Sequence, residues 1–281
     1  MSDPVPAIVE ATATGEAAAI FADIRATYRI GVVNLIWRHL ATFEGALPWA
    51  WGSLKPLYLS GHVEAAAAAI RAARPIPRPP ALPAATWRCA GLDAAAEGAV
   101  RGVVTAYDRT NPMALVALTL LRESLDPGFA AEGTPRAPIT DAAPEIPLPP
   151  LPAMEALAPH VADQVRALNR MGAEGEPRII ASMYRHFAHW PASLALSQAI
   201  LAPLDAEGRL LRALEETKAL ARAEARRLAT LLPRLAPPPD VLCVAAAIEA
   251  FTGEAIARMV VNGGVLLAAF SRAPQMASSS P

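Results

Sequence analysis

WRHLATFEGALPWAWGSLKPL, residues 37–57, returns at 184–204 as YRHFAHWPASLALSQAILAPL, without a gap and 147 positions on. Seven positions are identical: Arg38/Arg185, His39/His186, Ala41/Ala188, Leu47/Leu194, Leu54/Leu201, Pro56/Pro203 and Leu57/Leu204. Trp37/Tyr184, Leu40/Phe187 and Phe43/Trp190 keep their character. A chain that repeats at half its length reads as two fused like units, each leaning its apolar face on the other as in a two-fold dimer. The seam between such units is the natural place for a pocket.

Outward from the block, the text is alanine-rich and 53% apolar, with few aromatics. Apolar residues recur at helical spacing, so the expected fold class is all-α. A net charge of -1 gives no warrant for nucleic acid or an anionic membrane as partner. Cys89 and Cys243 stand far apart, which excludes a disulfide framework and a zinc knuckle, and both are expected to be inert buried thiols. The first 24 residues carry no Lys or Arg, which speaks against a signal or transit peptide. The apolar runs 112–121 and 259–270 are too short to span a bilayer, so a cytoplasmic protein is expected.

Helices are expected at 16–29, 32–43, 49–73, 92–107 and 111–125, the last with Asn111 as cap and Pro112 in its first turn. Proline-rich 75–83 and 131–152 cannot be helical. Beyond them, helices are expected at 153–171 and 206–231 and a final helix or pair of helices at 240–270, with another proline connector at 233–239. A fainter echo pairs 107–121 with 251–265. The expected layout is repeat one at 16–130, a linker at 131–152, repeat two at 153–272 and a disordered tail at 273–281.

The segments ATFEGALPWAWGSLKPL (41–57) and HWPASLALSQAILAPL (189–204), with the Asn111-Pro112 pair, resemble the group I 2-haloacid dehalogenases, the halocarboxylic acid dehydrogenase DehI family. The resemblance covers roughly residues 16–270. It implies two tandem helical repeats of the alkyl hydroperoxidase D-like kind, packed as an intramolecular pseudo-dimer with the site between them. It also implies hydrolytic displacement of halide from 2-haloalkanoic acids, with inversion and with no cofactor or metal. It places Asn111 near the reacting centre and Val32 and Leu35 on the pocket wall. The position it assigns to the water-activating aspartate, after Ser182 and seven residues before Trp190, holds Met183.

No Asp or Glu occurs from 24 to 43 or from 177 to 204, so any general base is a histidine or comes from another helix. Met183 and its twin Ile36 read either as pocket wall or as core packing. Arg38-His39 and Arg185-His186 read either as carboxylate and proton handlers or, because both halves carry them, as a symmetric structural device. Asn34, Asn111, Ser182 and Tyr184 are the neutral polar candidates. Ser182 lacks triad partners in sequence. Three readings stay open: a dehalogenase-family hydrolase, a non-catalytic binder of an apolar or carboxylate-bearing ligand, and a helical interaction module. The first two take a small molecule as partner, and a homo-oligomer is left open.

Overall fold

A computed structural model of the chain describes residues 5–141 and 144–271, and the expected tail at 273–281 lies outside them. Among the described residues the regular elements are all helical, and the one β-type pairing is an isolated bridge between Ile30 and Ile146. The fold is all-α.

In the first half, α1 (Gly15–Tyr28) turns Phe21, Ile24 and Tyr28 inward. Helix α2 is only Leu35–Leu40, shorter than the 32–43 expected. The stretch expected as one helix at 49–73 is two, α3 (Ala46–Leu59) and α4 (His62–Ala73). Gly61 breaks them apart with φ 79°, a left-handed conformation that a side chain resists. A six-residue α5 (Ala84–Cys89) follows the proline connector, anchored by fully buried Trp87, in a stretch for which no element was expected. Cys89 at its end is exposed, as is Cys243 on the outer face of α11 (Val241–Ala250). The expectation of buried thiols was wrong for both.

The largest departure is α6 (Ala94–Glu123), a single 30-residue helix where two were expected. Its cap is Asp93, whose carboxylate accepts from the Ala96 amide at 2.8 Å. Proline inside a helix removes one hydrogen bond and crowds the preceding turn. Here burial wins, because residues 110–121 are all shielded from water. Asn111 is therefore mid-helix and caps nothing.

In the second half come α7 (Pro159–Arg170), α8 (Ser182–Phe187), α9 (Pro191–Ala206) and α10 (Arg209–Leu228). They are followed by α11, a π-helical turn at Phe251–Ile256, and α12 (Ala257–Phe270). Helices α2, α4 and α6 start at 35, 62 and 94, and α8, α10 and α11 start at 182, 209 and 241, a constant spacing of 147. The fainter echo of 107–121 with 251–265 runs at 144, three residues out of step with these helices.

Helices α6 and α12 pack along each other at the centre, with α4 and α10 against them. One apolar core runs through both halves. The ion pair Arg74–Asp108 (2.6 Å) sits inside it, and Arg74 also donates to the Val260 carbonyl at 2.9 Å, tying the end of α4 to α6 and α12. The described parts of the proline-rich stretch, 131–141 and 144–152, are pinned across the helices. The Ile139 amide donates to Gly61 O at 3.1 Å, and Arg136 grips Glu224 through two 2.7 Å bonds.

Candidate functional site

A cavity of about 50 Å³ opens where α2, α6, α8 and the π-helical turn meet. Asn34, Leu35 and Ile36 line one side, and Ala181, Ser182 and Met183 another. These tripeptides occupy equivalent positions, each ending one residue before a copy of the duplicated block. Tyr107 and Asn111 come from α6, one turn apart on the same face. Ile179, Ile180, Phe251, Ala255, Ile256 and Met259 complete the lining. The π-helical turn widens the helix locally, a feature that recurs at functional sites.

The lining is neutral. None of its residues is Asp, Glu, His, Lys or Arg. Its polar atoms come from Asn34, Tyr107, Asn111 and Ser182. Asn34 Oδ1 and Asn111 Nδ2 are buried with no hydrogen-bond partner. Leaving such atoms unpaired costs about 1–3 kcal/mol each. The Met183 thioether is fully buried against Gly263 of α12.

Tyr107 is held by His186. The His186 Nε2 lies 3.0 Å from the Pro149 carbonyl, which only accepts, so Nε2 carries the proton. The Nδ1 then accepts, at 2.9 Å, from the Tyr107 hydroxyl. Burial pushes His186 down to about 4, so it is neutral at pH 7, and burial holds the Tyr107 phenol well above the ordinary tyrosine range. Ser182 is a hydrogen-bonding neighbour of that phenol.

The structure thus gathers Asn34, Leu35, Ile36, Asn111, Ser182 and Met183 around one cavity. Other candidates lie elsewhere. Val32 lines a separate surface trough of about 940 Å³ with Arg38 and Arg185. The pocket-wall role expected for Val32 is therefore not one in this cavity. Tyr184 is buried and accepts from Asn262 Nδ2 at 3.1 Å. The paired histidines bind extended segments: His39 Nδ1 donates to Pro6 O at 2.6 Å, and His186 meets Pro149 O. Arg185 donates to Pro152 O at 2.7 and 2.9 Å. Among the described residues no group of three or more His, Cys, Asp or Glu is placed to hold a metal.

Tyr107 was missed in the sequence, although its place four residues before Asn111 puts both on one helix face. Phe251, Ala255, Ile256 and Met259 had no comparable signal, since a π-helical turn has no sequence period of its own.

No protein-family model matches the chain. It is similar to a configuration-inverting 2-haloacid dehalogenase of Alcaligenes xylosoxydans xylosoxydans, 30% identical over 213 residues, 73% of this chain and 71% of that one. Among solved structures it resembles a D-2-haloacid dehalogenase mutant (TM-score 0.75, 20% identity, 93% of this chain and 94% of that one). It also resembles such a mutant in complex with D-2-CPA (TM-score 0.70, 19% identity, 94% and 96%). With this likeness in sequence and in fold, the chain belongs to the family of configuration-inverting 2-haloacid dehalogenases.

Proposed function

We propose that this family member keeps a small-molecule cavity and lacks the family's water-activating carboxylate, Met183 standing in its place. It then binds a ligand of a few heavy atoms without displacing halide at a useful rate. The observation that carries this reading is the lining: Asn, Ser, Tyr and apolar side chains, with no carboxylate or histidine among them. Displacement of halide by water needs a group that takes a proton from the attacking oxygen. Methionine cannot. The nearest relay, Tyr107 to His186, ends on an imidazole whose proton affinity burial has lowered, so it is a weak acceptor.

The proposed architecture is two tandem helical repeats of the alkyl hydroperoxidase D-like kind, at 16–130 and 153–272, joined by 131–152 and paired across this cavity. The constant spacing of helix starts supports it. The cavity is far below the roughly 300–1,000 Å³ of a drug-sized site, which suits a ligand the size of a short 2-substituted alkanoic acid or its derivative. The test is halide release from D- and L-2-chloropropionate by the purified protein. Release no faster than in buffer is the expected result, and turnover at rates of ordinary enzymes would overturn the reading.

A further inference from the structure

We infer that the cavity takes a neutral small molecule carrying a hydrogen-bond donor beside an acceptor, a primary amide, in preference to the matching carboxylate anion. The inference rests on the ligand-holding reading above and names the charge state of the ligand.

Three observations converge. The two unpartnered buried atoms are of opposite kind: Asn34 Oδ1 needs a donor and Asn111 Nδ2 needs an acceptor. A primary amide supplies both from one planar group, whereas a carboxylate supplies acceptors only and sets a lone pair against Asn34 Oδ1. Next, the polarity of Tyr107 is locked from behind. His186 donates to Pro149 O, so it must accept from Tyr107, and the phenol oxygen can only accept on its remaining side. The phenol can therefore accept from a neighbour, as it does from Ser182, but cannot donate to an anion. Finally, no cation lines the cavity. Arg185 is engaged with Pro152 O. Arg38 and Arg185 act on Tyr107 only through space, and Glu10 acts there in the opposite sense. An ionised carboxylate moved out of water needs a charge or several donors to meet it.

The experiment is calorimetric titration of the wild-type chain at pH 7.5 with 2-chloropropionamide and, separately, with 2-chloropropionate. The amide is expected to bind at least about tenfold more tightly, the factor one unmade buried hydrogen bond gives. Asn34→Leu and Asn111→Leu are each expected to weaken the amide by a similar factor. Equal or tighter binding of the carboxylate overturns this inference and leaves the ligand-holding reading intact. Binding of neither compound overturns both. Amide binding that survives both substitutions shows that the two amide side chains are not the recognition element, and also overturns it.

Discussion

The two copies of the duplicated block share their outer contacts and differ in what they bury. In the first copy Trp37 enters an aromatic nest: its Nε1 donates to Tyr28 Oη at 3.2 Å, Tyr28 and Tyr58 hydroxyls meet at 2.6 Å, and Trp51 stacks edge-on. In the second copy the twin Tyr184 accepts from Asn262, with Arg258 and Asn169 nearby. Meanwhile His39 and His186 each reach the carbonyl of a proline in an extended segment, Pro6 and Pro149. The conserved pair is thus a clamp for passing chain, used twice. Just ahead of the two copies, all three positions differ between 34–36 and 181–183, and there both segments face one cavity.

The sharpest way to break this comparison is to place a carboxylate on each side. Met183→Asp is expected to raise halide release from 2-chloropropionate by about a hundredfold or more, the range of a positioned general base, while Ile36→Asp leaves it unchanged. Equal effects would show that the two walls are interchangeable.

The ion pair Arg74–Asp108 exists once, because the position equivalent to Asp108 is Ala255, in the π-helical turn. Both side chains are over nine-tenths buried. Asp108→Ala leaves Arg74 uncompensated and is expected to cost roughly 3–5 kcal/mol in urea unfolding. Arg74→Met with Asp108→Leu should recover most of that. A loss below 1 kcal/mol for the single variant would show that the pair does not hold α4 to α6.

His186 is expected to make the fold sensitive to acid. Folding lowers His186 from 6.5 to about 4, so between those values the unfolded chain binds a proton that the folded chain refuses. Its contribution is complete above about pH 6.5 and is lost as pH falls toward 4, amounting to roughly 3 kcal/mol. His186→Gln should flatten the fall in Tm between pH 7 and 4.5. An unchanged slope in His186→Gln would remove His186 as its source.

The smallest test uses twin glycines. Gly61 and Gly208 precede α4 and α10 with φ 79° and 66°. A Cβ at Gly61 would lie 2.2 Å from the Ile139 carbonyl oxygen, whereas at Gly208 it meets only the tip of Arg212 at 3.3 Å. Gly208→Ala is expected to cost about 1–2 kcal/mol, the left-handed penalty alone. Gly61→Ala should cost more and free the stretch around Ile139 to protease, and equal costs would show that this stretch is not pinned there.

The sequence carried the repeat, the all-helical class, the proline connectors and six of the fourteen residues that line the cavity. Those depend on local pattern: apolar spacing, proline geometry and a block copied in register. It misplaced helix ends at Gly61 and Gly208, and it split α6 at Asn111-Pro112, because a local rule for capping was outweighed by burial from other helices. It missed Tyr107 and the π-helical turn for the same reason, since neither is defined by its neighbours in sequence. The chain by itself determined that one block recurs 147 positions on and that Met183 stands where the family resemblance expects an acid. Only the tertiary structure decided that the Arg-His pairs face extended chain, that Asn111 is free to turn inward, and that the cavity is neutral. Those are outcomes of which long-range partner reaches each hydrogen-bonding group first, and spacing along a chain does not encode that order.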